Sequence, residues 1–169
     1  MKKILFFVIF CLSLGFIVFA REAVSEDKSK DSNLPRFVSL RSSPVNARSG
    51  PGVKYPIEWV YMQQSAPVEV IAEYEDWRRV KDWQGSESWI KSQMLKSKRF
   101  VRINTPGENN LYSKSNFNSQ VVARVEDGVV AEVKKCPAKN DFCLIKIDNF
   151  EGWMPKQNVY GLYKDEVIN

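Results

Sequence analysis

The 169-residue sequence predicts an all-β chain of two tandem small barrels, preceded by a targeting segment and a short flexible linker. Three observations predict it. First, one pattern occurs twice: Asn46 and Asn110 stand 64 residues apart, and so do Trp89-Ile90 and Trp153-Met154. Pro67-Val68-Glu69-Val70 and Val130-Ala131-Glu132-Val133 fall at nearly the same separation, 63 residues from Val70 to Val133. A period of this size with weak identity means two copies of one small domain rather than a single large enzyme fold. Second, Val68, Val70, Ala72 and Tyr74 alternate with Glu69, Ile71, Glu73 and Glu75, the period of a strand. Third, no stretch of about ten residues after the targeting segment carries a helical apolar stripe.

Taken in order, residues 1–20 have the form of a secretory signal peptide. Lys2 and Lys3 precede an apolar run from Ile4 to Phe19, and Val18-Phe19-Ala20 suits cleavage before Arg21. The alternative is an uncleaved anchor, for which the run is short, since a span needs about 20 apolar residues. Phe10 before Cys11 is too bulky for a lipoprotein signal. Residues 21–34 are mostly Glu, Asp, Lys, Ser and Asn, with too little apolar surface to offset the entropy of ordering, so they form a flexible linker.

The first barrel is expected over residues 35–97. Ile57 to Met62 and Trp77 to Trp83 are rich in β-branched and aromatic residues, and Ser49-Gly50-Pro51-Gly52 and Gln84-Gly85-Ser86 supply turns. Ser92 to Ser97 is expected to form a short turn between the copies. The second barrel is expected over residues 98–165, with turns at Thr105-Pro106-Gly107, Asp127-Gly128 and Asn149 to Gly152. Units of about 60 residues bury only a modest share of their surface. Trp77 and Trp89, and at matching places Phe142 and Trp153, are therefore expected to be core or barrel-closing residues.

Cleavage of the signal leaves two cysteines, Cys136 and Cys143, and an even pair in an exported chain favours a disulfide. Strand-like runs flank the pair, so it would close a hairpin loop, which constrains the unfolded chain by about 2–3 kcal/mol. Six intervening residues do not make a redox C-x-x-C pair.

Without Lys2 and Lys3 the chain keeps 23 of its 25 basic residues against 20 acids, a net charge of +3. Arg78-Arg79-Lys81 lies between Trp77 and Trp83, but such a cluster in an exported chain reads as a solvated strand face, and no nucleic-acid partner is expected.

The order VNARSGPG (Val45 to Gly52), Tyr55-Pro56, Val68-Glu69-Val70, Trp77-Arg78-Arg79-Val80, Trp89-Ile90 resembles the bacterial SH3-like domain. The first copy matches throughout except that Ser88 stands where the family has Gly before Trp. The second copy has Tyr112 for the Arg and lacks the S-G-P turn, but keeps Glu151-Gly152-Trp153. Val159 to Tyr163 and the paired cysteines resemble a two-copy subfamily of exported bacterial proteins. The resemblance implies two SH3-like barrels that act as binding modules, some of which grip peptidoglycan through its peptide part.

Enzymatic chemistry is not expected. The sequence has no histidine, which removes Ser-His and Cys-His pairs, histidine zinc sites and the commonest general base. No metal or cofactor is expected, and no wall-hydrolase domain is expected after the second copy. Glu73, Glu75 and Asp76, set beside Asp82, are the one carboxylate group with catalytic potential, and a polar turn is the simpler reading.

The candidate ligand-binding residues are Arg48, Tyr55, Trp59, Tyr61 and Trp83. Arg48 could pair with a ligand carboxylate through its planar fork, or with a carboxylate on a neighbouring strand. The four aromatic residues are the ones least demanded by the core pattern, and they suit either a peptide groove or the contact between the barrels. The expected partner is peptidoglycan or another envelope component, in the periplasm or outside the cell. The competing reading is an envelope protein–protein module with no small ligand. Membrane contact is expected only through a retained signal segment.

Overall fold

The structure is a computed structural model, and it describes residues 33–169. The predicted signal peptide and nearly all of the predicted linker lie outside the described residues. The described residues form two seven-stranded antiparallel sheets and contain no α-helix.

The first sheet consists of β1 (Arg36–Leu40), β2 (Val45–Arg48), β3 (Ile57–Tyr61), β4 (Pro67–Tyr74), β5 (Trp77–Lys81), β6 (Glu87–Lys91) and β7 (Leu95–Lys96). Its order is β3-β2-β6-β5-β4-β1-β7. The second consists of β8 (Phe100–Ile103), β9 (Glu108–Tyr112), β10 (Val121–Glu126), β11 (Val130–Lys135), β12 (Phe142–Ile147), β13 (Phe150–Pro155) and β14 (Val159–Tyr160). Its order, β10-β9-β13-β12-β11-β8-β14, is the same arrangement element for element. Even the 3-10 turns before the last strands correspond, Ser92–Met94 and Lys156–Asn158.

Each sheet curls round its own core. All seven strands of the first send a side chain into one cluster, from Leu40 on β1 to Leu95 on β7. Val101, Ile103, Leu111, Val133, Ile145 and Met154 form the centre of the second. A strand whose alternate residues reach such a core removes one face from water, at about 25 cal/mol per Å² of apolar area buried.

The tryptophans divide. Trp77 and Phe142 are buried at the starts of β5 and β12, whereas Trp89 and Trp153 are only half-buried. The period of two explains the correction: Ser88 and Ile90 take the inward positions of β6, and Gly152 and Met154 those of β13. Trp89 and Trp153 therefore stand on the outer face, opposite Arg48 and Tyr112 respectively. At Gly152 an added Cβ would lie 2.6 Å from Leu111 and 2.9 Å from the Tyr112 carbonyl oxygen, so glycine is needed there.

Cys136 and Cys143 form a disulfide at the base of the β11–β12 loop. The chain end returns to this point: Cys136 N–H donates to Ile168 O (2.7 Å) and Ile168 N–H to Cys136 O (3.0 Å).

Candidate binding face

The loop between β2 and β3 is held from within. Ser49 N–H donates to Pro56 O (3.1 Å), Gly52 N–H to Gly50 O (2.9 Å) and Tyr55 N–H to Gly52 O (3.2 Å). Arg48, at the end of β2, donates from Nη1 to Tyr55 O (2.7 Å) and Val53 O (3.2 Å). A guanidinium is the one side chain with enough fixed donors to gather loop carbonyls while half-buried. The carboxylate partner expected for Arg48 on a neighbouring strand is thus replaced by main-chain oxygens of its own loop. The Tyr55 ring lies against Gly50, where a Cβ would come within 2.5 Å of it. The Lys54 ammonium stands 5.4 Å from the same ring centroid.

Beyond the loop runs β3, the terminal strand of its sheet, paired only with β2. Four of its five residues are exposed. Val53, Ile57, Trp59, Val60 and Met62 are all large apolar side chains in solvent, Trp59 at 50% and Met62 at 69%. An edge strand offers unpaired N–H and C=O groups as well as side chains.

The five sequence-predicted residues therefore fall in three places. Arg48 and Tyr55 build the loop, with Trp59 on the strand that follows it. Tyr61 belongs to the core: it is 7% exposed and donates its hydroxyl to Asp82 Oδ2 (3.1 Å). Burial, more than the neighbouring carboxylate, pushes the Tyr61 phenol well above the ordinary range. Its grouping with surface aromatics is corrected by its place along β3: Trp59 also stands opposite a buried residue, Ala47, but only Tyr61, at the end of the strand, is covered by the core cluster and Trp83. The 64-residue repeat carried the signal, since it sets Tyr61 on Val125, a core residue of the second barrel.

Trp83 lies between the barrels. Its ring centroid lies 6.0 Å from that of Tyr61 and 5.0 Å from the Arg102 guanidinium. Around it, Tyr160 donates to Lys81 O (2.8 Å), Tyr163 to Glu69 Oε1 (2.8 Å) and Gln63 Nε2 to Gly128 O (3.0 Å). Phe37 packs on Tyr160 and Tyr163 with centroids 5.2 and 4.8 Å away. The closing segment of the chain is therefore a clasp on the first barrel.

The carboxylates do not assemble. Glu73 accepts from Arg36 and from Arg78 Nε (3.1 Å), at the β4–β5 turn. Asp82 stands past the other end of β5, its Oδ1 accepting from Gln84 N–H and Ser86 N–H, both at 2.9 Å.

Sequence reasoning missed Val53, Ile57, Val60 and Met62 as surface residues. The exposure of Ile57 and Val60 follows from the position of β3 at the end of the sheet, which strand order decides and local pattern does not; Val53 and Met62 lie on the segments that flank it.

Two solved structures are similar over 78% of this chain: NlpC2 from Trichomonas vaginalis at 14% identity and TM-score 0.34, and NlpC1 from the same organism at 13% and 0.33. The chain spans about half the length of these proteins, 49% and 47%. No curated protein matches. The model of the bacterial SH3 domain matches residues 41–96 and again residues 105–161, and the chain belongs to that family, with two copies of its domain.

Proposed function

We propose that this chain is a non-catalytic, exported binding module whose first barrel recognises the peptide part of the cell wall. Membership of the bacterial SH3 domain family and a disulfide suited to an oxidising compartment support an envelope role. The observation that carries the reading is the concentration of exposed apolar side chains on Val53–Met62, next to the main-chain edge of β3. An extended peptide would add to that edge through main-chain hydrogen bonds and lay its side chains over Trp59. Arg48 acts indirectly, by holding the loop that carries Val53 and Tyr55.

The test is retention of the purified protein on peptidoglycan sacculi. Wild-type protein is expected in the pellet, and Trp59→Ala is expected to weaken retention about ten-fold, the scale of an aromatic anchor worth about 1–2 kcal/mol. Equal retention of both proteins, or no retention of either, would sink the reading. Clearing of the wall in a zymogram would overturn its non-catalytic part.

One observation favours the competing protein–protein reading: β3 presents an open, apolar strip rather than an enclosed pocket, as suits a partner that itself supplies a strand. In that case a single envelope protein, not sacculi, is captured by wild-type protein and lost with Trp59→Ala.

A further inference from the structure

We infer that the second barrel carries a binding cleft of its own, shaped for the end of a peptide that bears a free carboxylate. The two barrels differ most at one end. In the first, two residues join β4 to β5; in the second, residues 136–141 join β11 to β12 and the disulfide closes them. The main-chain bond that anchors this end is kept in both copies: Ser92 N–H to Asp76 O and Lys156 N–H to Asp141 O, each 2.7 Å. In the second copy, however, a lysine replaces the serine, and the longer loop and the returning chain end build walls around it.

The space between them is an open cleft of about 460 Å³. Phe117, Leu162 and Tyr163 give it an apolar side, and Lys156, Lys164 and Asp141 stand round it. Among the described residues, none of these three charges has an ion-pair partner. Lys156 Nζ makes only two long contacts, to Lys164 O (3.4 Å) and Glu166 O (3.3 Å). Tyr163 is fixed by its bond to Glu69 of the first barrel, and Phe117 by edge contacts to Tyr112 and Phe142. The rim is therefore preorganised while its charges stay unspent.

Charge complementarity selects the occupant. Two ammonium groups beside an apolar floor call for an anion on an apolar body. The Asp141 carboxylate calls in addition for N–H donors on the same ligand, which a peptide has and a fatty acid lacks. A fatty acid would also set its chain or its charge against Asp141 without compensation. A peptide C-terminus satisfies all three: its carboxylate meets Lys156 and Lys164, its amide faces Asp141, and its last side chain meets Phe117 and Leu162. This site is independent of the β3 face and does not rest on the wall-binding reading.

The experiment is a titration of the full chain, signal removed, with N-acetyl-Ala-Leu and with its C-terminal amide, followed by amide NMR shifts. The acid is expected to move the signals of Phe117, Lys156, Gln157 and Lys164, and the amide to bind about ten-fold more weakly, as loss of one charge-assisted bond implies. Lys164→Ala, an exposed substitution that leaves the fold intact, is expected to reduce that preference, and Lys156→Ala/Lys164→Ala to abolish it. Trp59→Ala is expected to change nothing here, so failure of this site and failure of the β3 face are separable. Equal binding of acid and amide, shifts confined to the first barrel, no shifts, or octanoate binding as well as the peptide acid would each overturn the proposal.

Discussion

At the scale of single residues, the β2–β3 loop depends on close approach rather than on chemistry. A Cβ on Gly50 would meet the Tyr55 ring at 2.5 Å, whereas one on Gly52 would meet it at 3.4 Å, an ordinary contact. Gly50→Ala must therefore displace the ring, and overpacking of this kind costs about 1–3 kcal/mol. Gly52→Ala is expected to stay within about 0.5 kcal/mol of the wild type. Urea unfolding of the two variants checks the pair; equal midpoints would mean that the Tyr55 ring is free to leave. The motif VNARSGPG was legible as a turn, but the role of Arg48 was not. A guanidinium that binds loop carbonyls and one that awaits a carboxylate have the same sequence, and only the positions of Val53 O and Tyr55 O separate them.

At the scale of elements, the repeat made most of the fold legible. Period-two alternation marked β4, and turn residues separated the rest; the recurrent offset of 63–64 residues predicted two copies of one small domain, and the strand orders match accordingly. What alternation could not supply was which strand ends the sheet. β3 reads as an ordinary strand in the sequence, yet its terminal place leaves Ile57, Trp59 and Val60 in solvent. The hairpin of β11 and β12 was legible from the two cysteines. Its loop closes only a few residues, so the bond removes about 2–3 kcal/mol of freedom from the unfolded chain in the loop-entropy model. The same bond holds Cys136 where it pairs with Ile168, so the chain end depends on it as well. The double variant Cys136→Ser/Cys143→Ser is expected to lower stability by about that amount in chemical denaturation and to speed hydrogen exchange at Ile168. An unchanged midpoint, with and without reductant, would show that the bridge adds nothing to the fold. The cleft beside this loop left a trace in the sequence too, as the unequal loop lengths of the two copies. Its walls, however, come from Phe117, Asp141 and Lys164, which only the folded chain brings together.

At the scale of the whole molecule, the barrels are joined by tyrosines. Tyr160 and Tyr163 reach from the second barrel to Lys81 O and Glu69 on the first, while Tyr61 is sealed beneath Trp83 at the same junction. Burial is the first cause that pushes all three phenols above the ordinary tyrosine value, and Glu69 adds to it at Tyr160 and Tyr163. Folding thus favours the neutral phenol. Below pH about 10 both folded and unfolded chains hold these protons, and the stabilisation is fully present. As pH rises past that value the unfolded chain releases its protons first, so it binds fewer than the folded chain and stability falls with pH. The loss continues until the folded phenols themselves ionise. Stability measured by urea unfolding is therefore expected to be flat from pH 8 to about 9.5 and to decline from about 10 upward. Tyr163→Phe removes one of the three titrating groups. It is expected to cost stability at pH 8, through loss of the bond to Glu69, and to make the alkaline decline shallower. A decline of the same slope in the variant would place the alkaline sensitivity elsewhere, and a flat wild-type profile to pH 11 would mean that the junction opens without unfolding either barrel. The variant has a second use, because the clasp and the cleft share Tyr163. At pH 8, where the lysines of the cleft keep their charge, Tyr163→Phe loosens one wall of the cleft and is expected to weaken peptide-acid binding by the second barrel, while retention through Trp59, on the far edge of the first sheet, should persist; unchanged peptide-acid binding would mean that the bond to Glu69 does not shape the cleft.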